Sequence, residues 1–98
     1  MKQIWKYSIK DTTITHKRPE GGIVRHVDEQ FDRICIWVEV DPYNLKEDRC
    51  FEVYGTGAVI KEDMSISREY LGSVKLDGGT YIFHIYERIG IQEGSVYG

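Results

Sequence analysis

This 98-residue sequence has little of several things. It has two cysteines, two prolines and three histidines. The cysteines, Cys35 and Cys50, stand alone, with no Cys-x-x-Cys, and His16, His26 and His84 are scattered. A zinc site needs closely paired ligands, so no metal is expected and both thiols are read as buried and free, as befits a reducing compartment. No stretch approaches the ~20 apolar residues that span a bilayer. The opening MKQIWKYSIK alternates apolar and polar residues, unlike the unbroken apolar run of a signal peptide. A cytosolic protein with no membrane association is therefore expected. Catalytic signatures are missing too: no serine sits in a nucleophile elbow and no carboxylate pair has a telling spacing. No cofactor is expected.

The net charge is −3, unevenly spread. Residues 1–26 hold six Lys or Arg against two acidic residues, and the remainder holds seven against fourteen. Overall acidity argues against long nucleic acid as a partner, which demands a broad basic footprint. The basic first third still permits a local patch for a small phosphate ligand or for contacts between subunits.

What is present is strand periodicity. Lys2–Ile9 alternates, with Ile4 opposing Trp5, Tyr7 and Ile9 across the pleat. Asp11–His16 continues extended and rich in threonine, and Pro19-Glu20-Gly21-Gly22 is a turn. Ile23–Asp28 and Arg33–Val40 form a hairpin, ended by Asp41-Pro42. Tyr43–Asp48 has room for one helical turn, Arg49–Tyr54 alternates again, and Lys61–Arg68 is irregular.

The last long hairpin, Glu69–Arg88, turns at Asp77-Gly78-Gly79, where Asp-Gly and Gly-Gly supply positive backbone angles. Its entering arm puts Tyr70, Val74 and Leu76 on one face. Its returning arm, Tyr81–Tyr86, is apolar on both faces and reads as covered on both sides, like Arg33–Val40. These two strands are expected in the middle. The fold class is all-β, a small antiparallel barrel or two-layer sandwich of about six strands with little helix. Residues 1–89 form one domain and 90–98 a fraying tail.

Candidate site residues follow from chemistry. Gly55-Thr56-Gly57 could bring backbone amides to a phosphate, although it lacks the P-loop and Rossmann spacings. Arg49 opens the strand that leads into it, Arg25 belongs to the basic third, and Trp37 could stack a ring. His84 or Asp63 would be the base if the protein were an enzyme.

The ordered set Ile4-Trp5-Lys6-Tyr7, Pro19-Glu20-Gly21-Gly22-Ile23-Val24, Cys35-Ile36-Trp37-Val38-Glu39-Val40-Asp41, Phe51-Glu52-Val53-Tyr54-Gly55-Thr56-Gly57, Tyr70-Leu71-Gly72-Ser73-Val74 and Phe83-His84-Ile85-Tyr86-Glu87 resembles a family of small uncharacterised proteins common in bacteriophages and prophages. The resemblance spans roughly Lys2–Glu87. It implies a viral origin, expression in the host bacterial cytoplasm and no catalytic residues to carry over. In that setting two non-catalytic roles are expected. One is a homo-oligomer that sequesters a small nucleotide-like immune messenger. The other is an inhibitor or host-takeover factor that covers a bacterial host protein.

Overall fold

The computed structural model describes residues 1–9 and 13–89. Among these are seven strands: β1 (Gln3–Ile9), β2 (Thr13–Pro19), β3 (Ile23–Gln30), β4 (Arg33–Val40), β5 (Lys46–Gly55), β6 (Ser67–Leu76) and β7 (Tyr81–Ile89). They make two antiparallel sheets, one ordered β1-β4-β3 and the other β2-β5-β7-β6. The sheets do not close on one another, so of the two expected architectures the sandwich forms and the barrel does not. The expected tail, 90–98, lies outside the described residues, as do Asp11 and Thr12.

The alternation read from the sequence explains the core. Ile34, Ile36, Val38 and Val40 of β4 turn inward beside Ile9 and meet Phe51, Val53, Val74 and Ile85 of the other sheet. Trp5 and Tyr7 pack against that cluster from the inner face of β1, while Ile4 is exposed. β4 is the central strand of its sheet and β7 is interior to the other, as expected.

The two sheets share one ribbon. β2 and β3 run in succession against β5 and β4, with Pro19 opposite Lys46 and Ile23 opposite Glu39. Between those pairs the ribbon turns a corner and passes from one layer to the other. The Glu20 N–H donates to the Leu45 carbonyl at 2.7 Å, Asn44 Nδ2 donates to the Glu20 carbonyl, and the Gly21 N–H donates to Glu47 Oε2 at 3.0 Å. Gly22 sits in a tight space at this corner. A Cβ there would lie 3.0 Å from Val38 Cγ1, 3.1 Å from Arg49 Nη1 and 3.1 Å from Val40 Cγ1.

Three expectations change. Tyr43–Asp48 holds no helical turn: the Asn44 N–H donates back to Asp41 in a tight turn, and β5 begins at Lys46 because β2 extends to pair with it. β7 is covered on one face only. Phe83 and Ile85 pack on the core, while Ile82, on the opposite face, is exposed. Tyr70 does not share a face with Val74. The β6–β7 register shifts between Tyr70 and Gly72, so Tyr70 faces Tyr86 and Ser73 faces His84. The extra residue reverses the alternation and sends Tyr70 to the outer surface.

Candidate functional site

The outer face of the four-stranded sheet carries polar and aromatic chemistry that the periodicity places there strand by strand. β5 contributes Glu52 and Tyr54, the residues flanking the inward Val53. β7 contributes His84, Tyr86 and Arg88, directly opposite Tyr54, Glu52 and Cys50. β6 contributes Arg68 and, through its bulge, Tyr70. The tyrosines form edge contacts, with ring centroids 5.8 Å apart for Tyr54–Tyr86 and 5.1 Å for Tyr70–Tyr86. His84 Nδ1 lies 3.2 Å from the Tyr70 hydroxyl and Nε2 lies 3.0 Å from Thr56 Oγ1. Tyr70 is 51 % exposed, so one ring of the cluster stands open to solvent.

Beside the rings sits a three-residue charge cluster. Glu52 is 1 % exposed although its side chain leaves the sheet on the outer side. Arg68 Nε reaches Glu52 Oε1 at 2.5 Å and Arg88 Nε reaches Oε2 at 2.5 Å. The Tyr54 hydroxyl donates to Oε1 at 2.9 Å. Burial pushes the Glu52 carboxyl up, but the bonds from Arg68, Arg88 and Tyr54 outweigh it and hold the carboxyl below its ordinary value. Burial and the adjacent carboxylate in turn push the Tyr54 phenol up. Asp63 also lies within electrostatic reach of Arg68 and Arg88, so the two guanidiniums face two carboxylates. Arg88 spends its Nε on Glu52 while its side chain stays 29 % exposed. The arrangement can stack a planar ring on tyrosine and accept an anion beside it.

Away from this face, a concavity of about 410 Å³ lies at the ribbon corner, lined by Gly21, Gly22, Glu47, Asp48, Arg49 and the end of β7. Here Arg49 holds Glu87 through Nε–Oε2 at 2.5 Å and Nη2–Oε1 at 2.8 Å, and its Nη1 donates to the Gly22 carbonyl. All three guanidinium nitrogens have partners within the fold.

The residues singled out from sequence are dispersed by this geometry. Thr56 joins the aromatic face through His84. Gly55 ends β5 opposite Phe83, and Gly57 follows with φ +89° in an exposed turn. Within that turn the Thr56 N–H donates to the Ile82 carbonyl and the Ala58 N–H to the Gly55 carbonyl, so two amides of the loop are already engaged. Arg49 belongs to the corner cleft. Trp37 and Arg25 lie on the outer side of the other sheet, Trp37 against His26 (ring centroids 5.3 Å apart) and Arg25 paired with Glu39 at 3.1 Å. Asp63, the other candidate base, accepts from the backbone and hydroxyl of Ser65 in a local turn. Those Ser65 bonds, helped by the nearby charges of Arg68 and Arg88, hold its carboxyl below the usual value. Sequence reasoning missed Glu52, Tyr54, Arg68, Tyr70, Tyr86 and Arg88 as a group. The one available signal was Gly72 in mid-strand, where glycine often marks a bulge.

A family model matches residues 1–94. The chain belongs to that family, a domain of unknown function (DUF7352). No curated protein and no solved structure matches it. Among the described residues of this DUF7352 domain, no helix is long and apolar enough to cross a membrane, and no group of three His, Cys, Asp or Glu side chains could hold a metal ion.

Proposed function

We propose that this DUF7352 protein is a non-catalytic binding module that takes a small nucleotide-like ligand on the outer face of its four-stranded sheet. The observation that supports this is the exposed Tyr70 ring, grouped with Tyr54, Tyr86 and His84 beside the partly exposed guanidinium of Arg88. The ring of a base stacks on tyrosine, and its phosphate takes the free edge of Arg88. Thr56 is the one residue of the Gly55–Gly57 loop that contributes, through His84. In its fuller form the proposal is a phage-encoded homo-oligomer in the host bacterial cytoplasm that sequesters a nucleotide immune messenger. Calorimetric titration with cyclic dinucleotides and ADP-ribose derivatives tests it. Heat that disappears in Tyr70→Ala and Arg88→Ala supports the reading, and no heat from any of them removes it.

A second reading is a protein that covers a bacterial defence protein. It is favoured by large apolar side chains held in solvent, among them Phe31 at 85 %, Leu45 at 78 % and Val59 at 83 % exposed. Capture of a stoichiometric bacterial protein by the purified chain, without nucleotide heat, would favour it over the first.

A further inference from the structure

The β3–β4 turn carries a residue its geometry disfavours. Gln30 pairs with Arg33, which leaves Phe31 and Asp32 as a two-residue connection. Both have positive φ, +52° and +59°. This is the primed turn that suits a right-twisted hairpin, and Asn-Gly is its preferred sequence. A bulky aromatic in the left-handed region is strained. Burial could offset that strain, yet Phe31 is 85 % exposed. Nothing within the described fold repays it.

The turn is nevertheless firmly held. The Asp32 N–H donates to Glu29 Oε2 at 2.6 Å and the Glu29 N–H to Asp28 Oδ1 at 2.7 Å. From the neighbouring hairpin, the Asp77 N–H donates to Asp32 Oδ1 at 2.7 Å. Two turns from different sheets thus buttress one another and hold the backbone from which the Phe31 ring projects into solvent. A backbone fixed in advance loses little freedom on docking. Its surroundings are acidic on balance: Asp28, Glu29, Asp32 and Asp77 against Arg33 in the turn itself and Lys6, whose ammonium donates to Gln30.

We infer that Phe31 is the anchor of a protein-docking tip, inserting into an apolar socket with a basic rim on another protein. The acidic collar selects that partner by charge and repels anionic lipid. The inference rests on the second reading above, not on the nucleotide face, and specifies where such a partner docks.

The test uses the full chain carrying the photoreactive residue benzoylphenylalanine at position 31, irradiated in soluble bacterial lysate. Phe31→Asn and Phe31→Trp chains are immobilised alongside the unaltered protein. Phe31→Asn installs a residue the turn prefers, so its thermal midpoint is expected to match or exceed that of the parent, which excludes loss of fold as a cause. The expected result is one stoichiometric protein cross-linked from position 31. The parent and Phe31→Trp retain it, Phe31→Asn loses at least tenfold of the capture, and rising salt weakens binding. A partner captured equally by Phe31→Asn overturns the anchor while leaving the broader protein-binding reading in place. Absence of any protein either cross-linked from position 31 or captured by the immobilised parent overturns both. A cross-link to a second copy of this chain, or flotation with phosphatidylglycerol vesicles that Phe31→Asn abolishes, overturns the inference in favour of self-association or lipid.

Discussion

Arg49 and Glu87 meet side-on at two points, 2.5 Å and 2.8 Å, with both side chains largely buried, and the third arm of the guanidinium closes on the Gly22 carbonyl. This one residue therefore ties β5 to β7 within its own sheet and to the corner at which the ribbon leaves for the other.

Glu87→Ala leaves the Arg49 charge buried without its partner. Breaking such a pair from one side costs about 3–5 kcal/mol, and urea denaturation should show a loss in that range. The double change Arg49→Met with Glu87→Leu, which removes both charges, should recover most of it. If the double variant is as unstable as the single, the pair contributes more than its own neutralisation.

Glu52 gives stability a sign with pH. Its carboxyl sits below the ordinary value of 4.5 in the fold because Arg68, Arg88 and Tyr54 outweigh its burial. The folded state therefore binds the proton less readily than the unfolded chain. The stabilisation is fully present above 4.5 and fades as pH falls through the lower, folded value. Urea midpoints followed from neutral pH down through that window should fall for the natural protein and fall less steeply for Glu52→Gln.

Gly22→Ala places a methyl group 3.0–3.1 Å from two valines and a guanidinium nitrogen. Overpacking of this kind costs about 1–3 kcal/mol. Gly57, whose missing Cβ would meet nothing within 4 Å, lies in open space. Gly57→Asn, a residue that tolerates positive φ, should leave the urea midpoint close to that of the parent.

Tyr70→Ala separates binding from folding. The ring is half exposed on the outer face, so its loss should move stability by less than about 1 kcal/mol. Loss of a stacked ring should weaken nucleotide binding by about 1–3 kcal/mol, roughly five- to a hundredfold. Tyr70→Phe keeps the ring, loses only the hydroxyl contact with His84 Nδ1 and should retain most of the affinity in the same calorimetric titration.

The pattern of the chain made the core legible. Ile34, Ile36, Val38 and Val40 alternate without interruption, and they line the interior as the period of two requires. Tyr70 was misplaced for the same reason, since a period count assumes an unbroken pleat and the register shift after it reverses every side chain upstream. The charge cluster was illegible for a different reason. Glu52 looks like an ordinary outward polar residue of β5, and its arginines arrive from positions 68 and 88 on two other strands. Arg49 looked available for a phosphate because its partner Glu87 lies 38 residues away. Local sequence reports which face a side chain takes, and much less about what waits for it there.

The corner at Gly21–Gly22 also governs how the molecule comes apart. Because β2–β3 and β4–β5 are the two rails of a single ladder that serves both layers, neither layer can be peeled off while the other stays whole. The sandwich is therefore built to unravel as one cooperative unit, in a single all-or-none step.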